Sequence, residues 1–245
     1  MTTVAVTGAG GYTAGPLLAR LEADASVTRI LAVDVVEPQM PPGKLEFRAA
    51  DIRDSLLAVA LDGADVVVHL AMTPGPSPAE DTMFAVNVHG TRNLLEAVSK
   101  SGARRLVHVS SGAVYGAHAE NPVPLTEDAP LRANADFSWA YHHLLAEELV
   151  AEFAAGHPDT TVVVLRPVTT LGPGIGNFVA HHFEQPVLPL VRGLGPPVQL
   201  LHVDDLAAAI HLAVTGDLRG PYNVAPDGWL SVRELARLAG KPTVE

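Results

Sequence analysis

The sequence of 245 residues contains no cysteine. This absence excludes disulfide bonds, thiol nucleophiles and cysteine-ligated metals, while the redox compartment of the protein stays open. No apolar stretch approaches the roughly 18 residues that a membrane-spanning helix requires. No basic segment with a long apolar run precedes the first strand-like residues, so a cleaved signal peptide is not expected. The sequence therefore predicts a soluble protein of the cytoplasm.

Long runs of one charge sign are missing as well. The formal net charge is −11, from 16 lysines and arginines against 27 aspartates and glutamates, which argues against nucleic acid or an anionic membrane as a partner. Histidines in metal-binding spacing are also absent, because there is no HExxH pattern and the adjacent His181 and His182 point to different faces of any helix or strand. We expect a small-molecule substrate and no metal site.

The most informative stretch that is present is TGAGGYTAG, from Thr7 to Gly15. A short apolar run precedes it, and Leu17, Leu18 and Leu21 follow at helical spacing, so the pattern predicts a strand, a glycine turn and a helix. The unpaired N–H groups and the dipole at the start of that helix favour a bound pyrophosphate. Glycine is needed because a side chain would block the phosphate or the tight turn.

Asp34 gives the second signal for a dinucleotide. Residues 29–33 predict the next strand, and Asp34 follows them at close to the offset of about 20 residues that is typical of a carboxylate binding ribose hydroxyls. Such a carboxylate accepts hydrogen bonds from both hydroxyls of the adenosine ribose and repels a 2′-phosphate, so NAD is favoured over NADP. The alternative is an acid at a strand end that faces the adjoining loop.

Strand-like and helix-like segments alternate along the chain. Strand patterns occur at residues 45–49, 65–70, 105–110 and 161–166, and helical patterns at residues 55–61, 83–101 and 137–155. This alternation predicts an α/β protein with a doubly wound, Rossmann-type parallel sheet and helices on both faces.

From residue 172 onward, glycine- and proline-rich loops separate the predicted elements. These are a strand at 198–203, a helix at 205–214, a short strand at 222–224 and a helix that begins near Ser231. We expect an NAD-binding domain over residues 1–170 and a smaller, irregular substrate-binding region over residues 171–245. The late strands and helices of this region are expected to be interleaved with the sheet.

Seven segments of the sequence together carry a family resemblance. They are VTGAGGYTAG at residues 6–15, DI at 51–52, DVVVHLA at 65–71, NVHGTRNLLEA at 87–97, VHVSSGAVYG at 107–116, LRP at 165–167 and LLHVDDLAAAI at 200–210. With them the chain resembles the extended short-chain dehydrogenase/reductase family, the NAD-dependent epimerases and dehydratases that act mostly on nucleotide sugars. Members of that family usually continue beyond the helix near Ser231, so we expect a truncated substrate region, or a homodimer in which the second subunit closes the pocket.

The resemblance implies a cofactor site at the carboxyl ends of the strands. The pyrophosphate turn would comprise Gly8, Gly11, Tyr12 and Thr13, the ribose contact Asp34, the adenine contacts Asp51 and Ile52, and the nicotinamide wall Leu70, Ala71 and Met72. The remaining implied residues are Asn87, which would brace the central helix against the neighbouring strand, and Pro167 and Val168, which would pack at the nicotinamide. Ala14 stands where the family usually has a third glycine, and close helix packing tolerates its methyl group.

The catalytic positions depart from the family. The family uses a Ser or Thr that hydrogen-bonds the substrate oxygen, a Tyr that transfers a proton, and a Lys four residues later that lowers the pKa of the Tyr. Ser111 matches the serine, the alternative being a serine that caps a turn. One alignment keeps Tyr141 and places Leu145 in the lysine position. The other, which we prefer because it needs no gap, places Trp139 and His143 in the two positions.

The Tyr–Lys pair is broken in either alignment. Tryptophan is neither acid nor base near neutral pH, and a histidine there is only partly charged. Trp139 and His143 share a helix face, whereas Tyr141 lies about 200° around the helix from Trp139. We place His143 before Tyr141 as the proton carrier, the alternative being a solvated helix residue.

Two functions follow from these residues. The first is an NAD-dependent oxidoreductase of the epimerase/dehydratase type, with Ser111 as the substrate-orienting group, acting on a nucleotide sugar or another small hydroxyl or carbonyl substrate. The second is a redox-silent NAD-binding protein, or a non-redox enzyme on the same fold. The intact phosphate turn supports the first function, and the missing Tyr–Lys pair favours the second.

Overall fold

A computed structural model describes residues 1–190, 195 and 197–244. Its strands are β1 (Thr2–Thr7), β2 (Val27–Asp34), β3 (Leu45–Ala49), β4 (Val66–His69), β5 (Arg105–Val109), β6 (Thr161–Pro167), β7 (Thr169–Leu171), β8 (Leu188–Pro189), β9 (Pro197–Val198), β10 (Leu200–His202), β11 (Gly220–Val224), β12 (Leu230–Ser231) and β13 (Thr243–Val244). Its α-helices are α1 (Ala14–Ala23), α2 (Leu57–Ala60), α3 (Glu80–Phe84), α4 (Thr91–Ser101), α5 (Ser138–Gly156), α6 (Phe178–Glu184), α7 (Val203–Thr215) and α8 (Val232–Leu238).

Seven strands form the central sheet in the order β11-β6-β5-β4-β1-β2-β3. All six neighbouring pairs are parallel. The strand order reverses between β1 and β4, and in a sheet of this type ligands bind in the crevice at the carboxyl ends of the strands at such a reversal. The predicted doubly wound α/β fold is confirmed.

Both faces of the sheet are apolar because helices cover both. In β1, Val4 and Val6 belong to the core cluster that includes the buried side of α1 and α7. Ala5, between them, belongs to the cluster on the opposite face, with buried residues of α2, α4 and α5. Alternate side chains of one strand thus enter two different cores, which explains the continuous apolar runs in the sequence.

Several elements differ from the expectations. The helix predicted over residues 83–101 consists of α3, a π-helical segment at Ala85–Gly90, and α4. The strand predicted at 198–203 is divided into β9 and β10. Neither β7 nor α6 was predicted, since a strand of three residues and a helix of seven are too short to show a period of their own.

The residues after Leu171 are divided between the central sheet and smaller structures. β11 forms the edge of the central sheet beside β6, and α7 packs against α1. β10 pairs with β7, β12 with β9 and β13 with β8 in separate two-stranded sheets. Among the described residues, no helix is long and apolar enough to cross a membrane.

Candidate functional site

The backbone of the turn between β1 and α1 leaves room for an anionic group to bind close to it. Thr13, at the N-cap of α1, makes no side-chain capping bond, so no cap side chain competes with an anion at the start of this helix. The turn is closed by its own backbone, with Gly11 N–H donating to Gly8 O (3.0 Å) and Ala14 N–H donating to Gly11 O (3.1 Å). These residues fit the pyrophosphate of a dinucleotide.

Gly8 is the position in this turn where a side chain is least tolerable. Its φ is +73°, and a Cβ there would lie 2.6 Å from the backbone nitrogen of Ala71. We expect Gly8→Ala to weaken NAD binding by at least about tenfold and to lower the melting temperature, because strain and overlap would move the turn away from β4. Isothermal titration with NAD and scanning calorimetry measure both effects.

Gly15 provides the matched control for this substitution. It is the second residue of α1, and a Cβ there would have no atom within 4 Å. Gly15→Ala is therefore expected to leave NAD affinity within about twofold of the wild type and to stabilise the helix slightly. If both variants bind NAD equally well, Gly8 does not shape the cofactor site.

Asp34 lies at the carboxyl end of β2, and two backbone groups orient its carboxylate. Gly10 N–H donates to Oδ2 (2.9 Å) and Val36 N–H donates to Oδ1 (3.0 Å). The carboxylate therefore lies beside the glycine turn, where the adenosine ribose of a dinucleotide would be. The adjoining positions are the exposed Val35 and Val36, which offer no cation to a 2′-phosphate.

Asp51 and Ile52 follow β3 and have different environments. The carboxylate of Asp51 accepts hydrogen bonds from Arg53, including one from the guanidinium Nη2 to Oδ2 (2.5 Å), and this arginine lowers the pKa of the carboxyl. Ile52 is buried against Gly90, where a Cβ would lie 2.4 Å from Ile52 Cδ1. Asp51 thus presents a paired, ionised carboxylate, and Ile52 presents an apolar wall.

The segment after β4 contains the residues expected along the nicotinamide. Met72 N–H donates to Leu70 O (2.7 Å), which makes a tight turn with Ala71 beside Gly8. The next residue, Thr73, is held by Asn87: Thr73 N–H donates to Asn87 Oδ1 and Asn87 Nδ2 donates to Thr73 Oγ1, both at 2.9 Å. Asn87 therefore fixes this loop to the π-helical segment.

Ser111 lies at the carboxyl end of β5, at the start of a 3₁₀ turn (Gly112–Tyr115). Its Oγ accepts a hydrogen bond from Ala113 N–H (3.2 Å) and keeps its own proton free to donate. The backbone of Pro167 lies close to Gly112, where a Cβ would be 3.4 Å from Pro167 O. Val168 N–H donates to Val224 O (3.0 Å), which anchors the end of β6 to β11. Ser111 is thus both a turn cap and a candidate hydrogen-bond donor to substrate.

Trp139, in the first turn of α5, closes one side of the site. Its indole N–H donates to Thr73 O (2.9 Å), so its one polar group is used by the protein. Its ring centroid lies 4.5 Å from that of His143 and 6.2 Å from that of Phe178. Tyr141 lies on another side of the helix and is 38% exposed. α5 thus directs Trp139 and His143 inward, and Tyr141 outward.

His143 belongs to a cluster of three buried histidines on adjoining elements. Burial and the neighbouring histidines lower its pKa to about 3, and burial lowers the pKa of His108 to about 4. Neither ring nitrogen of either residue has a hydrogen-bond partner among the described residues. Both imidazoles are therefore neutral at pH 7, and His143 does not reproduce the positive charge of a lysine.

His69, the third member, is held in one tautomer. The hydroxyl of Thr91 donates to Asn87 O (2.6 Å), so its oxygen accepts from His69 Nε2 (3.0 Å). His69 Nδ1 then accepts from the hydroxyl of Thr7 (3.0 Å). Burial lowers the pKa of His69 well below its ordinary value. This histidine links β1, β4 and α4 under the site as a neutral group.

A buried ion pair lies behind Ser111 and anchors α5 to β6. Arg166 Nη2 donates to Glu147 Oε2 (2.8 Å), and its Nη1 donates to the hydroxyl of Tyr115 (2.8 Å). Tyr115 in turn donates to Asn223 Oδ1 on β11 (2.7 Å). The side chains of Arg166 and Glu147 are 7% and 5% exposed. The network fixes the 3₁₀ turn that carries Ser111.

Sequence reasoning assigned no role to Thr73, Phe178, His108 or Arg166. Thr73 has no motif of its own, because its partners Asn87 and Trp139 are distant in the chain. His108 lies within VHVSSGAVYG, and Arg166 lies within LRP. A titratable or charged residue inside an apolar strand is unusual, and this was the signal in the sequence that could have identified both residues as buried polar groups. The aromatic contact of Phe178 depends on α6, which the sequence did not predict.

Comparison with known proteins gives a family and several relatives. The NAD dependent epimerase/dehydratase family matches residues 4–225. An uncharacterized protein of Mycobacterium tuberculosis is 31% identical over 247 residues, which cover 97% of this chain and 66% of that protein. The chain thus spans about two thirds of the length of this relative. The 3-diazoavenalumate denitrifying reductase of a Streptomyces species is 31% identical over 255 residues, covering 98% of this chain and 82% of the reductase.

Solved structures share the fold over almost the whole chain. MoeE5 in complex with UDP-glucuronic acid and NAD is similar with a TM-score of 0.84 and 28% identity, over 99% of this chain and 84% of MoeE5. The similarity therefore includes both the central sheet and the residues after Leu171.

Proposed function

Because the chain belongs to the NAD dependent epimerase/dehydratase family, we propose that it binds NAD and is an oxidoreductase for a small substrate with a hydroxyl or carbonyl group. Nucleotide sugars are one candidate class, since MoeE5 binds UDP-glucuronic acid with NAD. The observation that carries the proposal is the pairing of an uncapped α1 N-terminus with the Asp34 carboxylate that Gly10 N–H orients beside it.

Three groups of residues contact three parts of the dinucleotide. Gly8, Gly11, Tyr12 and Thr13 hold the pyrophosphate; Asp34, Asp51 and Ile52 hold the adenosine; and Leu70, Ala71, Met72, Pro167 and Val168 line the nicotinamide, with Asn87 fixing the wall. Bound NAD supplies a hydride acceptor, and NADH a hydride donor. The protein's own task is to place a substrate carbon and its oxygen.

Ser111 is the group that orients the substrate oxygen. Its hydroxyl proton is free, and its position after β5 is fixed by the 3₁₀ turn. His143 contributes a neutral imidazole, because a pKa of about 3 leaves it uncharged at pH 7. A neutral imidazole with so low a pKa holds no acidic proton at pH 7 and is also a weak base, so His143 by itself favours neither reduction of a carbonyl nor oxidation of an alcohol. Tyr141 stays a second candidate at the surface of α5.

A redox-silent NAD-binding protein, or a non-redox enzyme on this fold, is the second candidate function. The observation that favours it is the indole of Trp139, whose N–H is bonded to Thr73 O and is therefore not offered to a substrate. With no phenol and no ammonium group in the two positions, the family's usual proton transfer has no carrier. The experiments below separate this candidate from the first.

NAD and NADH are expected to raise the melting temperature, and NADP and NADPH to do so much less. The reason is that Asp34 accepts from ribose hydroxyls and repels a 2′-phosphate. Asp34→Asn should remove most of the preference, with NAD affinity falling by about tenfold or more. Thermal shift and titration with each dinucleotide measure this. Equal stabilisation by both pairs, or by neither, would exclude the role given to Asp34.

Catalysis is tested by following NADH absorbance and products with a panel of nucleotide sugars and simple carbonyl compounds. We expect turnover by the wild type and a fall of about 10²-fold for Ser111→Ala. The double variant Trp139→Tyr, His143→Lys introduces the family's pair of residues. If the wild type is inactive and this variant stays inactive while both bind NAD, the second candidate function holds.

A further inference from the structure

A cavity of about 670 Å³ lies in the C-terminal part of the chain. Its walls come from the segment after β7, from α6, from β10 and from α8. The residues that matter here are Leu171, Ile175, Phe183, Glu184, Leu200 and Leu238. A volume of this order falls within the range of about 300–1,000 Å³ that is typical of small-molecule sites.

Two short elements connect this cavity to Ser111. Pro167, whose backbone lies against Gly112, leads through β7 directly to Leu171 in the cavity wall. α6 carries Phe178, whose ring lies 6.2 Å from that of Trp139, and one turn later Phe183 in the cavity wall. The cavity is therefore placed to receive the part of a substrate that extends away from the reacting carbon.

The described lining residues give the cavity an apolar character with one negative charge. Glu184 is the charged member, and the others are Leu, Ile, Phe, Ala and Gly. The ammonium of Lys241 donates to the backbone oxygen of Glu184 (3.4 Å). Recognition of a diphosphate normally uses arginine, lysine or free N–H groups. Among the described residues, the cavity wall contains no arginine or lysine, so two phosphate charges next to Glu184 would be unfavourable.

The helix N-termini of this region are capped by side chains. Asn177 caps α6, with Ala180 N–H donating to Asn177 Oδ1 (2.9 Å). Ser231 and Glu234 form a capping box on α8. His202 accepts from Asp204 N–H (3.2 Å) at the start of α7, where Asp204 and Asp205 add negative charge. At each of these three ends a cap side chain already accepts from one backbone N–H, and Asp204 and Asp205 repel an anion at the start of α7.

We propose that this cavity binds the non-reacting part of the substrate and that this part is apolar and free of phosphate, as in an aromatic or aliphatic carbonyl compound. The proposal rests on the proposed function, because it assumes that the substrate reacts at Ser111 beside bound NAD. Apolar burial in the cavity replaces the phosphate contacts that a nucleotide sugar would need. A substrate without phosphate distinguishes this chain from enzymes that act on nucleotide sugars, although the proposed cofactor is the same.

The experiment titrates the NAD-saturated full chain with two probes. One is 4-phenylbut-3-en-2-one, a neutral aromatic ketone, and the other is UDP-glucose. We expect the ketone to bind at least about tenfold more tightly than UDP-glucose, with the negative heat-capacity change of apolar burial. Leu238→Arg, which places a cation in the cavity wall, should weaken the ketone about fivefold and improve UDP-glucose binding.

Leu212→Arg is the matched control. Leu212 lies on α7 outside the cavity and is 55% exposed, against 65% for Leu238. It should leave the affinities for both probes unchanged. The proposal is overturned if UDP-glucose binds more tightly than the ketone, if neither binds, or if Leu212→Arg alters binding as much as Leu238→Arg does. Separate titration with NAD shows whether the proposed function fails as well, since cofactor binding does not depend on the cavity.

Discussion

Glu147→Ala is expected to lower the free energy of unfolding by about 3–5 kcal/mol, because it leaves the guanidinium of Arg166 buried without its counter-charge. Arg166 is 6% exposed as a residue and donates to Glu147 through both Nε and Nη2. Its other hydrogen-bond partners among the described residues, Tyr115 and the carbonyl of Glu127, are neutral. Neither compensates a full positive charge removed from water.

Chemical denaturation with urea measures this loss, and Glu120→Ala is its control. Glu120 pairs with Arg132 at 3.1 Å, but its side chain is 65% exposed, so its removal should cost less than about 1 kcal/mol. The double variant Glu147→Met, Arg166→Met should recover much of the loss, because no charge then remains buried. Equal losses for Glu147→Ala and Glu120→Ala would contradict the assignment of a buried pair.

The free energy of unfolding is expected to decrease strongly when the pH falls. His108 and His143 have pKa values lowered to about 4 and about 3 in the folded protein, whereas an unfolded histidine titrates near 6.5. The unfolded state therefore binds protons first. The stability that depends on the neutral rings is fully present above about pH 6.5 and is lost progressively towards pH 4, by several kcal/mol for the two groups together.

Equilibrium unfolding at a series of pH values between about 7 and 4 tests this expectation. His108→Leu keeps the site apolar and removes one titrating group, so the slope of stability against pH should become shallower. His181→Gln is the control, since His181 is exposed on α6. A slope that is the same in both variants and the wild type would show that acid destabilisation in this range comes from other groups, such as His69 and His142, whose pKa values are also lowered by burial.

The sequence contained most of the information about the sheet and the cofactor turn. β1, α1 and β2 follow from local periodicity, and the glycine turn and Asp34 follow from residues close together in the chain. Their contact, Gly10 N–H to Asp34, is a consequence of parallel pairing between β1 and β2. Local pattern sufficed here because the site consists of the ends of adjacent strands.

The other half of the candidate site depends on contacts between distant residues. Trp139 bonds Thr73, 66 positions away, and Tyr115 bonds Asn223, 108 positions away. The lowered pKa of His143 depends on burial and on His108 from another element. The periodicity of apolar residues within a segment cannot predict contacts between residues that are far apart in the sequence. The sequence predicts that the family's tyrosine and lysine are replaced, but it does not predict that the indole of Trp139 is bonded to the backbone.

The π-helical segment Ala85–Gly90 determines the direction in which each side of α4 points. Such a segment adds one residue to a helical turn, so every later side chain is rotated by about 100° relative to an uninterrupted α-helix. With that rotation Thr91 reaches His69, and Leu94 and Val98 enter the core. Removing a single residue from the segment would swing the apolar face of α4 out of the core together with the polar contacts. The extra residue thus rotates α4 so that its polar residues face the candidate site while its apolar residues face the core.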